Sequence, residues 1–284
     1  MKIKRILTGI DFGHSSEAVI AYSSYFAKKM EASLTLLYVI DYLITPPAYL
    51  SPYIEEEKKS AEEKLENLQG KLKDSGIKTR AEVIVGRLHE SFDAAIKKLY
   101  PDMIALGFAT HTLRRSSSEK LIKGLAMPML VVRGEKSEKA NINSVKIRNI
   151  LCPVDFSEMS SKALNLAKEV GDIFSAKVHI LYVLPDHLIR KKMEEFKKED
   201  IELKDLLEDT KTKLLKYLDK YNIKNEADIK EGEPGKVIVS FAKEYDIDLI
   251  VMGARGLGLI KGMLIGSITD AVLKSSPCPV FVIH

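Results

Sequence analysis

Apolar residues along this chain gather into ten short runs, and most segments between them repeat their apolar positions every three or four residues. The runs fall at 3–10, 33–40, 79–85, 102–107 and 128–132, then at 147–154, 177–184, 226–231, 247–252 and 279–283. Short apolar runs bounded by polar or turn-forming residues predict buried strands. The segments at 15–30, 54–74, 90–99, 158–173, 190–221 and 234–245 predict helices, with a further helix before each final strand. Strands alternating with crossover helices predict a parallel sheet covered on both faces.

The second set of runs copies the first. Ile6-Leu-Thr-Gly-Ile-Asp11-Phe12 matches Ile150-Leu-Cys-Pro-Val-Asp155-Phe156 at an offset of 144, and Leu36 to Val39 matches Ile180 to Val183 at the same offset. Gly86 and Gly107 match Gly232 and Gly253 at 146, and Pro128 matches Pro279 at 151. Offsets that grow in steps mean one domain written twice, with small insertions in the second copy. The expected domains are 1–136 and 145–284, five strands each, joined by a polar linker within 133–147. Runs of Lys and Glu in the longer helices, such as 194–200, predict solvated faces. Residues 44–53, rich in proline and tyrosine, predict an excursion serving as a lid or a plain loop.

Composition narrows the function classes. Hydrophobic content of 45% and charged content of 30% over 284 residues suit two globular domains. A net charge of +4 from 44 basic and 40 interspersed acidic residues argues against nucleic acid as the main partner. No apolar run approaches the roughly 18 residues needed to span a bilayer. The amino terminus enters a strand without the apolar core of a signal peptide, so the expected location is cytoplasmic, with no membrane partner. Heavy use of Lys and Glu without Trp suits a thermophile. Cys152 and Cys278 form no Cys-x-x-Cys pair and read as small buried hydrophobes. His14, His89 and His111 fall in loops near Asp11 at spacings that match no metal motif, and read as surface histidines.

The candidate chemistry lies at Gly253–Ser267, which follows an apolar strand and precedes a helix-like segment. Ser267 and Asp270 have capping-box spacing, so a helix with outward-facing N–H groups should begin there. Such a terminus attracts phosphate, and a glycine at 266 lets a ligand approach the main chain. Arg255 and Lys261 add positive charge. The spacing fits neither a Walker loop nor a Gly-x-Gly-x-x-Gly dinucleotide fingerprint. Gly253-x2-Gly256-x9-Gly266-Ser267 instead resembles the ATP-binding signature of the universal stress protein family, and the resemblance extends over essentially the whole chain.

That resemblance implies two flavodoxin-like α/β domains of the adenine nucleotide alpha hydrolase-like type, each with a five-stranded parallel sheet of order 3-2-1-4-5. It implies an adenine nucleotide, ATP alone or with Mg, as ligand. The implied site residues are Pro153, Asp155, Val183, Met252, Gly253, Arg255, Gly256, Gly266, Ser267 and Ile268. Asp155 would meet the ribose or cap the helix beside Ser157, and the main chain of Val183 would meet the adenine edge. The resemblance also implies pairing of the final strands into an internal pseudo-dimer, with a homodimer as a further option. The first copy departs from the pattern. Thr110 replaces Gly256, Arg115 replaces Gly266 and Gly9 replaces Pro153, while Asp11 and Val39 persist. The expectation is one good ATP site, in the second half, in a regulatory or protective stress protein without fast hydrolysis. A slow ATP hydrolase or adenylate-transferring enzyme, and a non-nucleotide interaction scaffold, are the competing readings.

Overall fold

The computed structural model describes residues 2–13, 16–41, 47–108, 117–138, 140–190, 203–223, 227–257 and 264–284. It divides into two compact units, Met1–Lys146 and Ile147–His284.

In the first unit the strands are β1 (Arg5–Ile10), β2 (Ser33–Ile40), β3 (Thr79–Val85), β4 (Met103–Gly107) and β5 (Met129–Val132). They alternate with helices α1 (Ser16–Met30), α2 (Pro47–Asp74), α3 (Leu88–Leu99) and α4 (Ser117–Gly124), and α5 (Glu135–Glu138) follows the last strand. All pairings are parallel and the order is β3-β2-β1-β4-β5. The second unit repeats this with β6 (Asn149–Val154), α6 (Glu158–Phe174), β7 (Lys177–Pro185), α7 (Leu203–Lys220) and β8 (Ala227–Gly232). It closes with α8 (Pro234–Glu244), β9 (Leu249–Gly253), α9 (Ser267–Ser275) and β10 (Val280–Ile283), in the order β8-β7-β6-β9-β10. Counted along each unit, both orders are 3-2-1-4-5.

The central strands of each sheet are continuous apolar runs because helices cover both faces. Ile6, Leu7, Leu34 and Ile104 in one unit, and Ile150, Leu151, Ile180 and Ile250 in the other, are almost wholly excluded from solvent. The same carboxylate clasp holds the amino end of the first strand in both. Asp102 accepts the Lys4 and Arg5 N–H groups at 2.8 Å, and Asp248 accepts those of Arg148 and Asn149 at 2.9 and 3.0 Å. Burial opposes ionisation of Asp102, but those N–H groups and the Arg5 guanidinium hold its carboxyl below the usual range.

The excursion expected at 44–53 is helical from Pro47 onward, so α2 starts earlier than the charge pattern suggests. Proline suits the first helical position because its missing N–H would have no partner there. Pro52, inside the helix, forfeits the bond to the Ala48 carbonyl. Residues 42–46 lie outside the described residues, as do residues 191–202 of the helix expected at 190–221.

Candidate functional site

The site begins where β6 ends. Phe156 has a left-handed backbone (φ 66°), which an aromatic residue adopts only when its surroundings enforce it. Its ring stacks on Tyr182 at 4.7 Å and meets Tyr217 edge-on at 5.2 Å. The Tyr217 hydroxyl in turn reaches Ser161 Oγ at 2.9 Å. This packing turns the chain sharply after Asp155 and leaves the carboxylate at the carboxyl end of the sheet. Ser157 then caps α6, its hydroxyl accepting the Ser160 N–H at 3.1 Å.

Both Asp155 oxygens are engaged. Oδ1 accepts the Ser157 N–H at 3.0 Å, and Oδ2 accepts the Leu257 N–H at 3.2 Å, tying the β6 turn to the glycine loop. A carboxylate offers about four acceptor directions, so roughly two stay open. The capping role and the ribose role foreseen for this residue are therefore compatible. Burial, with the Asp155 charge as a second cause, raises the Tyr182 phenol above its ordinary value.

The glycine loop leaves β9 and returns to α9 through a closed neck. The Ala254 N–H bonds the Ile283 carbonyl and the Gly266 N–H bonds the Ala254 carbonyl, both at 2.7 Å. The Thr269 hydroxyl reaches the Gly253 carbonyl at 2.9 Å. The capping box foreseen for Ser267 does not form. Gly266 is the N-cap residue, Ser267 is the first helical residue, and no side chain caps the terminus. Asp270 instead pairs with Lys274 at 2.6 Å. The first intrahelical bond runs from the Asp270 N–H to the Gly266 carbonyl, leaving the N–H groups of Ser267, Ile268 and Thr269 ahead of it without a cap.

These pieces surround one cavity of about 360 Å³ at the carboxyl ends of β6, β7 and β9. Pro153 and Asp155 line it from β6 and its turn, and Val183 from β7. Met252, Gly253, Arg255 and Gly256 line it from β9 and the loop, and Gly266, Ser267 and Ile268 from the start of α9. All ten expected residues are brought together. Val183 does not end its strand, which continues to Pro185 in register with β8. Lys261 lies outside the described residues.

Pro234 and Ile238 of α8, with Tyr182, His187 and Leu188, also line the cavity and were missed by sequence reasoning. The internal repeat held the signal for Ile238, because Phe92 occupies the matching position of the first copy. There Phe92 is 2% exposed, and a Cβ added to Gly9 would stand 2.7 Å from its ring. The matching cavity in the first unit, lined by Gly9, Asp11, Val39 and Phe92 among others, holds only about 200 Å³. Pockets for small molecules usually begin near 300 Å³, so the second unit's cavity reaches that range and the first unit's does not. Thr110, Arg115, Ser116, His14 and His111 lie outside the described residues. His89 faces Asp93 at 3.2 Å, and no metal-ligating cluster occurs among the described residues. Cys152 and Cys278 are both buried and are not joined in a disulfide, and burial pushes the Cys152 thiol up.

The family model described as "Universal stress protein family" matches residues 2–133 and again 146–284. The chain belongs to the universal stress protein family. Each half therefore matches the universal stress protein family model once. Universal stress protein YxiE of Bacillus subtilis is 31% identical over 151 residues, covering 48% of this chain and 97% of that protein. Universal stress protein MJ0577 of Methanocaldococcus jannaschii is 33% identical over 159 residues, covering 49% and 96%. A universal stress protein structure from Archaeoglobus fulgidus aligns over 100% of this chain and 99% of its own, with a TM-score of 0.75 and 24% identity. That last likeness establishes the tandem fold. No described helix is long and apolar enough to cross a membrane.

Proposed function

We propose that the C-terminal half binds ATP, alone or with Mg, and that the chain is a regulatory or protective universal stress protein with one nucleotide site. The observation that carries this reading is the cavity itself. Its lining includes the start of α9, with three uncapped main-chain N–H groups, and the partly open carboxylate of Asp155. Helix-terminal N–H groups favour phosphate, and a carboxylate favours ribose hydroxyls. Main-chain bonds to a charged phosphate contribute about 1.5–3 kcal/mol each before association costs. With an adenine ring buried against Val183 and Ile238, micromolar binding, about 8 kcal/mol, is within reach.

Binding fits better than turnover. Both oxygens of Asp155 already hold main-chain N–H groups, and in this reading the ribose hydroxyls take its open directions, so none is left for a general base. Isothermal titration calorimetry tests the proposal. ATP should bind with low-micromolar affinity, and Gly266→Arg should abolish binding without lowering the melting temperature. Unchanged affinity in Gly266→Arg would remove the cradle from the reading. Mass spectrometry of the small molecule that copurifies with the chain should return an adenine nucleotide.

A further inference from the structure

The first unit holds a larger cleft at the opposite ends of its strands. It encloses about 640 Å³ between the starts of β1, β2 and β3 and the last turns of α2 and α3. The internal repeat explains why this space is open. In the second unit three matching positions carry rings that pack on one another. Phe241 and Tyr245 stack with centroids 4.1 Å apart, and His179 stands 5.8 Å from Tyr245 and 6.3 Å from Phe241. At the same offsets of 144 and 146 the first unit carries Thr35, Ala95 and Leu99. Three rings are thus exchanged for a hydroxyl, a methyl and an isobutyl group. Thr35 and Leu99 are half-exposed and line the cleft beside Pro101.

The rim is basic. Lys73, Lys78 and Arg80 all line the cleft and are exposed, and they have no ion-pair partner among the described residues. Arg5, also lining it, pairs with Asp102 at 3.1 Å. Positions 73 and 80 match Asp219 and Glu226 of the second copy, so these two charges are reversed between halves, while Lys78 matches Lys224. Gly76 sits among these residues with a left-handed backbone (φ 82°), and nothing lies within 4 Å of where its Cβ would be. The floor, formed by Ile6, Leu7, Leu34 and Ile77, is 0–4% exposed. Covering it gains little, so an aliphatic chain has little to bind there. A flat ring against Leu99 and Pro101 with its anionic group at the rim uses both features.

The geometry points to a second ligand site in this cleft, one that takes a small aromatic anion: a ring bearing a phosphate, sulfonate or carboxylate. The site depends on different residues from the nucleotide cavity, so either can fail alone.

The test uses 8-anilinonaphthalene-1-sulfonate titrated into the full chain with ATP in excess, followed by amide chemical shifts. Saturable shifts are expected at Arg5, Ser33, Thr35, Lys78, Arg80 and Leu99. The double variant Thr35→His/Leu99→Tyr, which restores rings found in the second copy, should abolish them. Lys78→Glu/Arg80→Glu should weaken binding by about tenfold, more at low salt than at high. These last two positions are exposed, so that pair decides the matter if the ring variant fails to fold. Shifts absent from the cleft, or affinity unchanged in the charge variant, would overturn the site. Equally tight binding of the uncharged N-phenyl-1-naphthylamine would overturn its anion preference.

Discussion

Gly256 is fixed by a protein neighbour, since a Cβ there would collide with the Asp155 carboxylate. Gly253 is fixed by packing, because its Cβ would stand 2.8 Å from Met159 Cβ of α6. Gly266 is constrained by neither. Its φ is −77°, and an added Cβ would meet ordinary contacts at 3.5 Å and beyond. The three substitutions to alanine should therefore separate. Gly253→Ala should destabilise the fold by about 1–3 kcal/mol, read by urea unfolding. Gly256→Ala should displace the loop, break the Asp155–Leu257 bond and weaken ATP about tenfold by calorimetry. Gly266→Ala should leave the melting temperature unchanged and lower ATP affinity, because Gly266 lines the cavity. The spacing of these glycines was legible in the sequence, but their separate causes were not. Spacing records where a side chain is missing, while the reason depends on what lies across the gap. Residue chemistry also sets a pH dependence. Burial, with the Arg255 charge second, pushes His284 down to about 4 from an ordinary 6.5. Below 6.5 the unfolded chain takes up a proton that the folded chain declines, so stability should fall between pH 6.5 and about 4. The lowered carboxyl of Asp102 adds a further loss as pH drops through the ordinary carboxylate range. Urea midpoints across that interval check this, and His284→Gln should flatten the upper part.

At the level of elements, two helix starts with related sequences are built differently. Ser157 caps α6 with its hydroxyl, whereas Ser267 lies inside α9 and caps nothing. Ser157→Ala should cost about 1 kcal/mol, visible as a lower melting temperature, and Ser267→Ala should cost much less. The capping-box spacing at 267 and 270 misled because the helix starts one residue earlier, with Gly266 as its N-cap, and the Asp270 carboxylate pairs with Lys274. Pro47 misled in the other direction. Proline reads as a breaker, yet at the first helical position it is an initiator. The strands, by contrast, were placed to within one or two residues. A run of buried apolar residues cannot shift without exposing its core face.

For the molecule as a whole, duplication made the architecture readable from one sequence. Each matched segment vouches for its copy, and the family's strand order then holds in both units. The inequality of the two cavities was only half readable. The glycine losses of the first copy stood out by offset, but the ring of Phe92 under Gly9 is a matter of volume, which no spacing encodes. Phe92→Ile should enlarge the first cavity without creating a second ATP site, because the loop glycines are still absent. Calorimetry should keep returning a single binding event.

Phe12 and Phe156 turn left-handed at matching positions, φ 55° and 66°, each just after an aspartate. The twist survives in the copy that no longer carries the glycine signature, so it is a property of the scaffold and independent of any guest. Anyone wishing to install a working pocket in the N-terminal domain could leave this corner alone, graft the segment between the fourth strand and its helix, and trim the ring of Phe92.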